Sequence, residues 1–515
     1  MKRTMRAFAV LVAALGLIAV YQGPVAQETV YLDVVEQIRD EGLNRSRVPE
    51  DLHYLTDVIG PRLTGSPAFM RAAEWAMDRF REYGLENVHL ESWGPFGRGW
   101  EEIDTHGRMV EPFARPLIAR PGAWTAGTDG LKRGPAVYVP VESEEDLEGL
   151  AEKVDGAWVL MSDASDLRRK DDRPPRLVAD ADDLLQPARE RVRRERPQID
   201  PEERERLMEE RRARRELANR TREVIQESGA LGLLRRSSLS LSALRPAGSG
   251  SREAGAPHGL PDITLANEDY SLIFRNAASG IPVVLEFDVQ TRFHEDDLNG
   301  YNVIGEIPGT DRADEFIVLG NHLDSWHLGT GATDNGAGSV IMMEAMRILK
   351  ALDLEPRRTI RIGLWGGEEQ GLFGSRAYVE DHADELDRIS AYLNLDNGTG
   401  KVRGIWTQNN AGVIPVFEQL LWPMRDLGVV AVRHGNTGST DHVAFDAAGV
   451  PGFNFIQDPQ EYGTTYHSNL DTYEALALED LEQAATVTAI LAYHLAMRDE
   501  MLPRKPEEEA DPRRP

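Results

Sequence analysis

Cysteine is absent from all 515 residues. Disulfides, thiolate metal sites, cysteine nucleophiles and a lipoprotein anchor are excluded together, so any metal must be held by His, Asp and Glu. Cations are scarce as well: 58 Lys and Arg stand against 86 Asp and Glu, a formal net charge of −28. Nucleic acid needs clustered cations, and is excluded as a partner on that ground. The acidity favours solubility and names no substrate. Long hydrophobic runs are missing but for one, Ala7 to Tyr21, which follows the cations of MKRTMR and precedes the small residues of GPVAQE. This layout predicts a secretory signal peptide over residues 1–26, too short for a membrane span, with cleavage near Ala26. The chain is therefore expected to be secreted or periplasmic, with no stable membrane span after the signal is removed.

The remainder is rich enough in apolar residues, 41% by count, for a globular interior. At this length two or more structural units are expected. Residues 300–500 alternate between strand-like runs (EFIVLG, TIRIGLWG, AYLNLD, GFNFI) and helix-like segments (Val340 to Leu352, Val413 to Leu427, Leu478 to Met497). Such alternation predicts an α/β fold, a mostly parallel sheet with helices on both faces in three αβα layers. A second, smaller α/β unit is expected as an insert over residues 116–295, which leaves 27–115 and 296–502 as the discontinuous main domain. Within the insert, residues 163–226 are dominated by Arg, Glu and Asp. They read as a long solvated helix or helical hairpin laced by i,i+4 ion pairs, with a lid or a homodimer contact as the alternatives. Residues 503–515 read as a disordered tail.

In open α/β sheets, functional groups collect where strands end at their carboxyl side. Four such ends here carry acids or histidines: His322, Asp324 and Asp334 after EFIVLGN; Glu368 and Glu369 after TIRIGLWGG; Asp396 in AYLNLD; and His467 and Asp471 beyond GFNFIQDP. Imidazoles and carboxylates without sulfur suit Zn²⁺ in a hydrolytic site, and Co²⁺ or Mn²⁺ would also fit. Two histidines with three carboxylates exceed the needs of one catalytic zinc. They suffice for two ions about 3.5 Å apart that share a carboxylate and a water, while a further acid stays free as a base. His327, His434 and His442 read instead as ordinary hydrogen-bonded or solvated loop histidines.

In order along the chain, HLDSW, DNGAG, LWGGEEQGLFGS, LNLD and YHSNLDT resemble the M28 family of zinc metallopeptidases, with its aminopeptidase-like fold. The nearest likeness is to the carboxypeptidase Q-like branch with a protease-associated domain insert, which IGPRLTGS and GLENVHLESWGPFGRGW also resemble. The resemblance implies that His322 and Asp396 hold one zinc, that Glu369 and His467 hold the other, and that Asp334 bridges both. It implies Glu368 as the general base toward a water shared by the ions, and Asp324 as the acceptor that orients the His322 imidazole. Tyr462 or Tyr466 would serve the oxyanion, and Asp441 and His442 would lie beside the site or line the substrate. The expected activity is that of an exported dinuclear zinc exopeptidase on peptides or dipeptides, its amino- or carboxy-terminal polarity open. A non-catalytic binding protein on this scaffold, or an acyl transferase like the glutaminyl cyclases, is the alternative.

Overall fold

The computed structural model describes residues 27–164, 200–246 and 250–506. The expected signal peptide and most of the charged tract before Asp200 lie outside the described residues. Two mixed eight-stranded sheets organise the chain. The first runs, in spatial order, Glu86–Trp93, Gly300–Ile307, Arg358–Trp365, Arg312–His322, Ile389–Asn394, Gly452–Gln457, Val402–Trp406 and Ala431–Arg433. Its four central strands, Arg358–Trp365 through Gly452–Gln457, are parallel to one another. Antiparallel partners flank them on both sides.

Three of the central strands are buried along their whole length and Arg312–His322 is buried from Phe316 onward, which is why these stretches read as largely apolar runs. Successive residues face opposite layers: Ile317 and Leu319 join one core, Val318 the other. The first layer holds the helices Pro67–Glu82, Ala337–Ala351 and Leu478–Met497. The other includes Phe373–Asp381 and His442–Ala447, which contribute Tyr378 and Phe445. Helix Pro67–Glu82 starts where Ser66 accepts from the Phe69 N–H and Pro67 presets the first turn. Helix Ala337–Ala351 carries AGSVIMMEAMRIL, apolar nearly all round, and is buried accordingly.

The second sheet is ordered Arg115–Pro116, Gly99–Glu111, Val284–His294, Lys132–Tyr138, Trp158–Leu160, Gly232–Arg236, Asp262–Leu265 and Ala119–Pro121. It thus recruits Gly99–Glu111, ahead of the boundary expected at residue 116. That strand pairs antiparallel with Val284–His294 from Gly99 opposite His294 to Glu111 opposite Val284. A long two-stranded ribbon leaves one local sequence unchanged in character on both sides of a domain boundary, so composition did not mark it. Two further expectations are revised. The Val413 to Leu427 segment is not one helix: it breaks after Leu420, and Trp422–Leu427 is a 3₁₀ turn with Pro423 near its start. The C-terminal tail remains bound through Lys505, because Arg504 donates to the carbonyls of Gly449, Leu386 and Ile389 and Lys505 pairs with Asp446.

The described part of the charged tract is one helix, Pro201–Glu227, exposed along most of its length. Pairs such as Arg212 to Glu216 at 3.1 Å lace its surface. No helix among the described residues is long and apolar enough to cross a membrane.

Candidate metal centre

The carboxyl ends of the parallel strands converge, and with them the acids and histidines. His322 ends its own strand, Glu368 and Glu369 follow Trp365 by a tight turn, and Asp396 follows Asn394. Asp334 comes in on the loop that opens helix Ala337–Ala351, and His467 on the loop after Gly452–Gln457. Ligand atoms form two groups, His322 with Asp334 and Asp396, and Asp334 with Glu369 and His467, each within 4.8 Å. Asp334 belongs to both. Its Oδ1 lies 3.3 Å from His322 Nε2 and its Oδ2 lies 3.1 Å from His467 Nε2. Asp396 Oδ2 is 3.7 Å from His322 Nε2, and Glu369 Oε2 is 2.7 Å from His467 Nε2.

With no cation bound, this cluster must hold extra protons to keep its acids together. The His322 Nδ1 sits 3.0 Å from the Asp324 carbonyl oxygen, a pure acceptor, so Nδ1 carries the hydrogen. In the neutral ring the Nε2 lone pair then points at carboxylate oxygens, also acceptors, and Nε2 has no hydrogen-bond partner. Glu369 Oε1 is likewise buried and unpartnered. Burial pushes the Glu368 carboxyl up to about 11 and the Glu369 carboxyl up to about 8, with neighbouring carboxylates adding to the rise. Burial opposes charge on both imidazoles, yet the acids around them hold His322 well above its ordinary value and raise His467 to about 10. A divalent cation could take the place of those protons, and the donors are those a hard or borderline divalent ion takes.

Several side chains outside the ligand set hold the geometry. Asp324 does so in a way the sequence did not anticipate. Its carboxylate stands 3.7 Å from His322 Nδ1, which its own carbonyl has taken. The carboxylate instead accepts from Thr64 Oγ1 at 2.8 Å and from the N–H groups of Glu368 and Glu369 at 3.2 and 3.3 Å. It therefore clamps the turn that carries both glutamates. Asp471 accepts from the Thr333 N–H, next to Asp334.

Arg62, from the IGPRLTGS connector, is fully buried and donates to the carbonyls of Leu323, Gly60, Thr330 and Gly331. Asn321 and Asn335 both reach the Leu395 carbonyl and bond each other. The signal for Arg62 and Thr64 was present as polar residues in a turn-rich stretch, but nothing local said they would be buried.

The expected substrate groups fare differently. The Tyr462 hydroxyl, expected to serve an oxyanion, donates to Asp396 Oδ1 at 3.2 Å. Tyr466 stacks on Tyr462 with centroids 5.4 Å apart and is partly exposed. Asp441 is fully buried with both carboxylate oxygens unpartnered, and burial pushes it up to about 7. His442 is also buried, Nε2 on the Thr437 carbonyl, and burial lowers it to about 4. The Ser439–Asp441 turn leads into helix His442–Ala447, which packs on the central strands Gly452–Gln457 and Ile389–Asn394, and Asp441 feels the charges of His322 and Asp396 beside it. His327 is the hydrogen-bonded loop histidine expected, 2.8 Å from the Pro121 carbonyl.

Residues 302–492 match peptidase family M28 over the strands and loops just described. That part of the chain is an M28 peptidase domain. Carboxypeptidase Q of Pongo abelii is 29% identical over 470 residues, 90% of this chain and 88% of the relative. Among solved structures, a peptidase M28 precursor from Shewanella amazonensis superposes with a TM-score of 0.65 at 24% identity, covering 92% of this chain and 99% of that one. A protein described as a zinc aminopeptidase, BSAP from Bacillus subtilis, does so with a TM-score of 0.56 at 21% identity, covering 88% and 95%. These structures share the mixed α/β fold of this chain.

Proposed function

We propose that this M28 hydrolase is an exported exopeptidase that works with two zinc ions on peptides or dipeptides. The observation that carries the reading is the placement of Asp334, whose two oxygens face different histidines and different carboxylates. His322 and Asp396 would hold one ion, Glu369 and His467 the other, with Asp334 shared. Co²⁺ or Mn²⁺ suits the same donors. The relatives named as a carboxypeptidase and as a zinc aminopeptidase support the peptidase class and the metal. The MKRTMR start and the apolar run behind it support export.

When bound, the ions supply Lewis-acid chemistry, polarising the scissile carbonyl and acidifying a water molecule. The protein's own groups do the rest. Glu368 stands beside the ligands with its carboxylate 3.9 Å from His322 Nε2. It takes a proton from the attacking water and returns it to the leaving amine nitrogen, so that the amide is cut without a free strong base. The Asp324 carboxylate holds the Glu368 and Glu369 backbone and so aims one as base and the other as ligand. The Nδ1–H of His322, fixed on a carbonyl, keeps the Nε2 lone pair turned inward. Tyr462 fixes Asp396 in the same manner. The inserted sheet, a protease-associated-like unit in this reading, restricts the approach to the site.

The test pairs Glu368→Gln with the unchanged protein on a defined peptide library with mass readout, with and without chelator. The variant is expected to keep two ions per chain and lose turnover by about 10³-fold or more, the scale of a lost general base with its transition-state contacts. Comparable hydrolysis by the variant would remove Glu368 from its role, and wild-type hydrolysis untouched by chelation would remove the metals.

A further inference from the structure

The two histidines of the centre are aimed by different means. His322 is fully buried, and its Nδ1 is fixed on the Asp324 carbonyl at 3.0 Å. His467 turns its Nε2 toward Asp334 and Glu369, yet among the described residues its Nδ1 makes no hydrogen bond, and its side chain stays 36% exposed. Its backbone makes none either, and its φ of +55° lies in the left-handed region. A residue with a Cβ holds that conformation only where its neighbours fix it. A ligating imidazole is ordinarily oriented by a hydrogen bond on its other nitrogen. For His467 the flanking backbone has to do that work.

Two consecutive residues of the insert bracket this backbone. On the near side, the Arg245 guanidinium sits 4.3 Å over the Tyr466 ring and donates to the Tyr466 carbonyl at 3.0 Å and the Gly463 carbonyl at 3.4 Å. On the far side, the Leu244 N–H donates to Asn469 Oδ1 at 2.6 Å, and the Asn469 N–H donates to the Leu244 carbonyl at 3.1 Å. The bracket hangs on the inserted sheet. Ser237, buried directly after the strand Gly232–Arg236, accepts from the Arg245 N–H at 3.1 Å and donates to the Ala243 carbonyl at 2.9 Å. Its own N–H bonds the Leu265 carbonyl at the end of the neighbouring strand. Leu244 is buried with Ala266 of the insert and Leu328 of the main domain. Of the two residues inside the bracket, Ser468 is tied to the main domain, its N–H and hydroxyl both on the Thr465 carbonyl. His467 is not.

The groups that would hold the other ion are placed by the main sheet itself. His322 ends one central strand and Asp396 follows another. Tyr462, which donates to Asp396, is fixed by its own turn: its N–H bonds the Pro459 carbonyl, and Thr465 of that turn meets Thr333 Oγ1 at 3.0 Å. Loosening the bracket therefore frees one histidine and leaves the rest of the ligand set where it stands.

We propose that Arg245 is a positioning residue for His467, and that the insert thereby sets the affinity for the ion that Glu369 and His467 would hold while leaving the ion of His322 and Asp396 alone. The inserted sheet is on this account part of the scaffold of the metal centre, in addition to any restriction of approach. The inference rests on the two-ion reading above and makes its two sites unequal in what they require.

The experiment titrates metal-stripped full-length protein with Zn²⁺ by calorimetry against a competing chelator. The unchanged chain is expected to take two ions. Arg245→Met keeps an apolar stem over Tyr466 but removes the donors, and is expected to weaken one ion by about 10-fold or more while the other is unchanged. Arg245→Lys retains a cation and a single point donor, and should recover part of the loss. Glu369→Gln identifies the ion: it should weaken the same one, and adding Arg245→Met to it should leave the remaining ion unaffected. Equal thermal midpoints of the metal-free proteins would show that the variants fold. Should Arg245→Met lower that midpoint, the split between the ions must appear in Arg245→Lys, and its absence there counts equally against the assignment. Two ions held at full affinity by Arg245→Met, equal weakening of both, or a further loss in the Glu369→Gln background overturns the role of Arg245 and leaves the two-ion reading in place. A single ion per unchanged chain overturns both.

Discussion

Arg62→Met removes a buried cation whose guanidinium satisfies four carbonyls on three separate segments. The bonds are 2.8 Å to Leu323, 2.8 Å to Thr330, 2.8 Å to Gly331 and 3.1 Å to Gly60. Burial lowers this arginine to about 10, with Asp471, Asp324 and Asp334 pulling the other way, so it is charged at neutral pH. Hydrogen bonds from a charged donor are worth about 1.5–3 kcal/mol each, and an abandoned buried carbonyl costs about 1–3 kcal/mol. Since the loops relax and the four bonds are not independent, the expected loss is about 4 kcal/mol, a large share of the ~5–15 kcal/mol that holds a domain together.

Lysine keeps the charge but offers a point donor on a flexible stem, so Arg62→Lys should lose about half as much. Denaturant unfolding of chelator-treated protein reads these values free of metal release, provided the slope is unchanged. The same variants should weaken zinc binding about 10–100-fold, because Leu323 stands between His322 and Asp324, and Gly331 three residues before Asp334. A midpoint for Arg62→Met within ~1 kcal/mol of the unchanged protein would show that the carbonyls find water instead, and that Arg62 does not organise the site.

Gly338→Ala places a Cβ 2.1 Å from Asn321 Nδ2, 2.4 Å from Asn335 Oδ1 and 2.5 Å from the Leu395 carbonyl. It should lower stability by about 3 kcal/mol or more and lose metal, whereas an unshifted thermal midpoint would contradict the packing described. Chelation should lower the thermal midpoint, because the crowded carboxylates lose their counter-charge; equal midpoints with and without metal would count against a bound ion. His382 lies 3.1 Å from Glu91 and 3.3 Å from Glu385 and is raised above 6.5, chiefly by the Glu91 hydrogen bond. Its stabilisation is complete below the ordinary imidazole value and fades as pH rises through the elevated one. His382→Gln should therefore cost up to about 1 kcal/mol near pH 5 and progressively less toward pH 9, and a gap that widened with pH would reverse that sign.

The amino-acid order alone determined the alternation of strands and helices in residues 300–500, since buried parallel strands are apolar without interruption and amphipathic or buried helices keep their own period. It also made the ligand types legible: with no cysteine, only acids and histidines such as those at the strand ends could serve, and the resemblance to M28 peptidases implied His322, Asp334, Glu369, Asp396 and His467 among them. The tertiary structure alone decided matters that depend on distant partners. Whether Gly99–Glu111 joins the first sheet or the second is set by pairing with a strand far along the chain. Whether Asp324 orients an imidazole or clamps a turn depends on a choice between two oxygens of one residue. Asp441 and His442 were expected beside the site or lining the substrate, and only packing showed that both are buried.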